Sequence, residues 1–163
     1  MGTDIFLKWD RMSQDERVAQ TSASRSFMMD AGKYGYLRAA IGMKRENALL
    51  RSIFPADYWY NKTGNAIRFD FRAGLPVLDS AAKIYIRSVE EGTVPGFKDY
   101  ALVAMMDRVS NERAAKAGFQ KVSATEDLGF GEAKLWLQEL AEFFQLGTKK
   151  QDAGLNPGIY IGW

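Results

Sequence analysis

Polar and apolar residues alternate from Thr3 to Trp9. Ile5, Leu7 and Trp9 fall on one side, and Asp4, Phe6 and Lys8 on the other, which is the period of a half-buried strand. Ser13-Gln14-Asp15-Glu16 then has capping-box spacing and predicts a short helix to about Gln20. Thr21 to Gly32, rich in Ser and Ala, reads as a loop. Tyr36, Leu37, Ala40 and Ile41 predict a helix over Tyr34 to Met43, and Ala48, Leu49, Leu50 and Ile53 predict another over Lys44 to Phe54, stopped by Pro55. Ile67, Phe69 and Phe71 alternate with charged residues and predict a strand over Ala66 to Arg72.

Pro76 suits the first turn of a helix whose stripe is Leu78, Ala82, Tyr85 and Val89 and whose stop is Gly92. Further helices are expected over Phe97 to Ala117, with Met105 and Met106 inward, and over Gly131 to Leu146, stopped by Gly147. A short strand is expected over Phe119 to Ser123. Thr148 to Gly154 is polar, Asn156-Pro157-Gly158 is a turn signal, and Ile159 to Trp163 is apolar and strand-like. These elements do not alternate as βαβ units. They predict a helix-dominated α+β fold: a small, mostly antiparallel sheet with helices packed on one face. Residues 1–147 are read as a single globular domain and 148–163 as a C-terminal tail that docks on the sheet of its own chain or of a second copy.

Composition narrows the chemistry sharply. The 163 residues include no histidine and no cysteine. Imidazole bases, thiolate nucleophiles, the usual zinc sites and disulfides are therefore excluded. No catalytic motif, metal site or cofactor is expected, and the reading leans away from an enzyme. No signal-like segment or membrane-length apolar run stands out, which fits a cytoplasmic protein. The net charge of +2 is unevenly spread. Eight basic residues between Lys33 and Arg72 face only Glu46, Asp57 and Asp70, and aromatics interleave them. That mixture could grip a nucleic-acid backbone and stack bases. It equally describes core aromatics under a solvated basic face, and without a recognised motif nucleic acid is not the expected partner.

The opening Met1-Gly2-Thr3-Asp4-Ile5-Phe6-Leu7-Lys8-Trp9-Asp10, with Gly35-Tyr36-Leu37-Arg38 and Phe54-Pro55, resembles a group of small uncharacterised bacterial proteins that begin M-G-x-D-I-x-x-K-W-D. The resemblance covers the first third of the chain and implies a soluble bacterial protein without naming an activity. Where those proteins continue with an acid and a tyrosine, this chain has Ala39-Ala40-Ile41-Gly42.

Two groups of side chains are candidate ligand-binding residues. Asp4, Lys8 and Asp10 share one side of the first strand and could hold a cation or a polar substrate, or could simply be its solvent face. Tyr36 and Arg38 offer a phenol and a guanidinium to an anion near a helix start, or are a core ring and a surface cation. Tyr58, Trp59, Tyr60, Tyr160 and Trp163 are candidate interaction residues, because large rings in exposed segments anchor interfaces. The leading function class is a small interaction or binding domain, with a protein partner or self-association through the C-terminal segment. The alternatives are a carboxylate- or Mg²⁺-dependent enzyme on a small polar substrate, and nucleic-acid binding through residues 33–72.

Overall fold

The alternation in the first strand sets the architecture. The computed structural model describes residues 2–26, 31–40, 42–93 and 130–162. The expected helix over Phe97 to Ala117, the strand over Phe119 to Ser123, and Trp163 lie outside the described residues. Strand β1 (Gly2–Lys8) buries Thr3, Ile5 and Leu7 and leaves Asp4 and Phe6 half-buried on the opposite face. Strand β2 (Tyr36–Ala40) pairs antiparallel with one edge of β1, setting Ile5 opposite Leu37 and Asp4 opposite Arg38.

The expectation of a helix over Tyr34 to Met43 is corrected here. A 3-10 turn (Gly32–Tyr34) ends at Gly35, whose φ of +80° is left-handed and breaks any helical path. The Leu7 amide then donates to the Gly35 carbonyl at 2.8 Å, which starts the β1–β2 ladder, and Leu37 and Ala39 alternate into the core.

Helix α1 (Gln14–Ser26) opens on the expected capping box: the Glu16 amide donates to Ser13 Oγ at 3.1 Å, and the Ser13 amide to Glu16 Oε1 at 3.0 Å. It runs through Thr21 to Ser26, where the sequence reads as a loop, because Gln20 and Ala23 form a buried side three residues apart. Helix α2 (Lys44–Ile53) and the single turn α3 (Ala56–Trp59) follow. Strand β3 is only Ile67–Arg68. The expected strand over Ala66 to Arg72 is cut short because Asp70 caps helix α4 (Phe71–Glu91), accepting from the Ala73 amide at 3.0 Å. Pro76 therefore lies inside α4 rather than in its first turn, and Gly92 caps its end at φ +68°.

Helix α5 (Phe130–Asp152) does not stop at Gly147, and the division expected after residue 147 falls inside it. Gly147 is small because the Phe71 ring packs on it; a Cβ there would lie 2.4 Å from that ring. The chain turns back through Gly154 and Asn156, both at positive φ, into strand β4 (Gly158–Gly162). β4 pairs antiparallel with the second edge of β1 and with β3, giving the order β2-β1-β4-β3.

The fold is thus α+β and helix-dominated. Inward side chains of the sheet join α2, α4 and α5 in one core. Its centre is aromatic: the Phe69 ring lies 4.9 Å from Phe71 and 5.1 Å from Phe54, and Phe71 lies 5.2 Å from Phe144. Helix α1 meets the sheet at its β2 side, where Ala23 and Ala31 pack with Tyr36 and Phe6. No described helix is long and apolar enough to cross a membrane.

Two glycines of α5 give a paired test. Ala in place of Gly normally favours a helix by up to about 1 kcal/mol. At Gly147 the new methyl must displace a buried ring, so Gly147→Ala is expected to lose about 1–3 kcal/mol. At Gly131, where a Cβ meets nothing within 4 Å, the same change is expected to be neutral or stabilising. Urea unfolding of the two variants checks this; equal effects at both positions would contradict the packing of Phe71 on Gly147.

Candidate functional site

The outer face of the sheet carries what the core excludes. Register places Asp4 of β1 between Arg38 of β2 and Gly162 of β4, and Phe6 between Tyr36 and Tyr160. Tyr36 Oη donates to Asp4 Oδ1 at 2.5 Å, and Arg38 Nη1 donates to the same oxygen at 3.1 Å. The Asp4 and Arg38 side chains remain 32% and 29% exposed. Burial first, and the Asp4 carboxylate second, push the Tyr36 phenol up to about 12. It is therefore a hydrogen-bond donor at neutral pH and not a base.

The Phe6 ring lies 5.2 Å from Tyr36 and 6.2 Å from Tyr160, so three rings cross the three central and edge strands in a row. Lys8 Nζ sits 5.4 Å from the Phe6 ring centre and donates to Gln20 Oε1 at 2.6 Å. Burial, and then Arg17, hold its ammonium below the usual lysine range. Gln20 itself is buried and donates to the carbonyls of Leu7 at 2.7 Å and Gly35 at 3.0 Å, pinning α1 to the start of the β1–β2 ladder. Sequence reasoning missed it; its one signal is a polar residue three positions before Ala23 on the buried side of α1.

Three of the five candidate ligand-binding residues, Asp4, Tyr36 and Arg38, therefore converge, and Lys8 lies farther along the same face. Asp10 does not join them: it accepts from Asn156 Nδ2 at 2.9 Å in the turn before β4. The Asp4 carboxylate is already engaged by a phenol and a guanidinium. Among the described residues no group of three His, Cys, Asp or Glu could hold a metal ion. Tyr36 and Arg38 lie on a strand, so no helix start supports an anion there.

Beyond Gly162 the face opens into a cleft of about 230 Å³ lined by Trp59, Tyr60, Asn61, Lys62, Tyr160 and Ile161. Gly162 leaves its floor bare, since an added Cβ would meet only Tyr160, at 4.0 Å. The segment Tyr58 to Tyr60 is not extended, and it sorts unevenly. Trp59 is a core residue that donates to the Phe54 carbonyl at 2.9 Å, with the Arg51 guanidinium 4.7 Å from its ring. Tyr58 Oη donates to the Arg68 carbonyl, while Tyr60 is 43% exposed.

The basic, aromatic stretch from Lys33 to Arg72 is not one surface. Arg45 and Arg51 are 7% and 3% exposed, Arg38 pairs with Asp4, and Arg72 pairs with Asp152. Phe54, Trp59, Phe69 and Phe71 are core. A second concavity, about 480 Å³, lies between α4 and α5 and is lined by Leu75, Leu78, Ala141 and Phe144 among others. Comparison with protein-family models, curated proteins and solved structures found no match.

Helix α2 buries a further polar row. Asn47 donates to the carbonyls of Ala40 and Met43 and accepts from Thr3 Oγ1 at 2.8 Å. Glu46, 3% exposed, accepts from Tyr85 Oη at 2.6 Å. Burial pushes its carboxyl above the ordinary 4.5, only partly offset by the Tyr85 bond. A raised folded-state value means the native protein holds this proton more tightly than the unfolded chain does. Its stabilising contribution is full below pH 4.5 and is lost as pH rises through the folded value. Glu46→Gln keeps an acceptor for Tyr85 but cannot ionise. Its unfolding free energy, measured from about pH 4 to about pH 8, is expected to fall less with pH than that of the parent. Identical pH profiles would show that Glu46 does not titrate in this window.

Proposed function

We propose that the chain is a small protein-binding domain whose contact surface is the outer face of its sheet. The observation that carries this reading is the half-buried aromatic row on β1 and β4. Half-buried Phe6 and Tyr160 are flanked by the Asp4–Arg38 ion pair on one side and by the Gly162 cleft, with exposed Tyr60 and Lys62, on the other. Aromatic anchors beside a polar rim are the composition of interface centres. The enzyme reading has less support, since Asp4 is tied to two donors and Tyr36 is held protonated. Nucleic-acid binding has less still, because the cations of residues 33–72 are dispersed or paired.

A photo-crosslinking residue in place of Tyr160, expressed in the source cell, tests the reading. The control position is Val18, exposed on α1. A discrete adduct is expected from position 160 and not from position 18, and Arg38→Glu is expected to reduce it severalfold. An adduct of twice the chain's mass would identify the partner as a second copy. The same adducts from both positions, or none from position 160, would refute the reading.

A further inference from the structure

Lys8 is fixed at the end of β1 by the buried side of α1. Its ammonium donates to Gln20 Oε1 at 2.6 Å and sits 5.4 Å from the Phe6 ring centre. Gln20 is 1% exposed and is itself anchored, because its amide nitrogen donates to the carbonyls of Leu7 and Gly35. Lys8 nonetheless stays open to solvent. Arg17 lies three residues before Gln20 on α1, the spacing at which helical side chains are neighbours, and it too is exposed. Burial, and then Arg17, lower the Lys8 ammonium, so the two cations are near enough to repel.

The carboxylates on the adjoining elements are already engaged. Asp4, beyond Phe6 on the same face of β1, accepts from Tyr36 and Arg38. Asp10 accepts from Asn156. Glu16 accepts from the Ser13 amide and pairs with Lys150 at 3.2 Å. Asp15 is two residues from Arg17, so the two leave α1 on different sides. Among the described residues no ion pair joins Lys8 or Arg17 to a carboxylate. Two neighbouring cations, one of them held in position, therefore stand unneutralised beside an aromatic ring.

We propose that Lys8 and Arg17 together receive an oxyanion, a carboxylate or a phosphate, carried by a side chain of the protein partner that contacts Phe6 and Tyr160. The inference rests on the protein-binding reading and names the group that the partner presents. An oxyanion has several acceptor atoms, so it can take hydrogen bonds from an ammonium and a guanidinium at once, and charge-assisted bonds of this kind are the strong ones. The Phe6 ring lies against Lys8 at one side and in the aromatic row at the other, so one partner covers both.

The test follows the Lys8 and Arg17 side chains of the intact protein by NMR. Sodium phosphate and sodium acetate are compared with sodium chloride at equal ionic strength. Arg17→Gln is expected to raise the pH at which Lys8 titrates, because the neighbouring charge is gone; an unchanged titration would show that the two cations are not adjacent and overturn the site. Either oxyanion is expected to shift both side chains saturably where chloride does not, and Arg17→Glu is expected to weaken the effect roughly tenfold. Phosphate acting at lower concentration than acetate would assign a phosphorylated side chain, and acetate acting at the same or lower concentration a carboxylate. No saturable shift, or the same shift in Arg17→Glu, would overturn the proposal.

The partner's share is read separately, from the photo-crosslinked adduct at position 160. Arg17→Glu is expected to reduce its yield severalfold. The control at Val18 keeps its meaning, since Val18 and Gln20 are two residues apart and leave α1 on different sides. An undiminished adduct would overturn the assignment of the anion to the partner while leaving the sheet face as the contact surface. No adduct from the parent would refute the protein-binding reading and this part of the inference with it.

Discussion

Strand β1 carries the fold because both of its edges are filled by distant parts of the chain. Ile5 meets Leu37 on one side and Ile161 on the other, and Leu7 meets Ile159. The second pairing joins residues 2–8 to residues 158–162, closing nearly the whole chain into one loop. Loop-closure entropy grows only logarithmically with length, so the closure costs little more than a much shorter one would. It does demand that the intervening helices be in place, since α5 delivers β4 through the turn at Gly154 and Asn156. The final segment is therefore an interior strand of the sheet, and Ile159 and Ile161 are committed to their own core.

Side-chain amides brace that centre where helices would otherwise only lean on it. Gln20 reaches from α1 to the carbonyls of Leu7 and Gly35, and Asn47 reaches from α2 to Ala40, Met43 and Thr3. Each satisfies main-chain groups at the ends of the β1–β2 ladder that would be costly to bury unpaired. Glu46 with Tyr85, and Arg51 over Trp59, place ionisable groups in the same interior. Buried charges add little net stability but are expensive to strand, so they restrict how α2 can sit against α4.

Local signals were legible where side chains act on neighbours a few residues away. The Ser13–Glu16 capping box, the stop at Gly92, and the buried rows of β1 and α2 all follow from spacing. Errors arose where a distant partner overrides the period. Tyr36, Leu37 and Ala40 fit a helical stripe, but the free edge of β1 takes Leu37 and Ala39 as strand residues. Ile67, Phe69 and Phe71 alternate across the cap at Asp70, because the chain turns a corner while all three rings or branches still face inward. Gly147 reads as a stop until the Phe71 ring is seen to occupy the space of its missing side chain. Asp4, Tyr36 and Arg38 could be named as candidates from their chemistry, but Gly162 could not be set beside them. That adjacency exists only in the register between the two ends of the chain.

The same register decides both what the sheet hides and what it offers. Along a strand, side chains alternate between faces and main-chain groups alternate between edges, both with a period of two. Once Ile159 and Ile161 are drawn inward by Ile5 and Leu7, their amides and carbonyls must point away from β1. A slip of one residue would bury Tyr160, expose the isoleucines and turn their main-chain groups toward β1. The direction of the β4 main chain is thus a consequence of core packing.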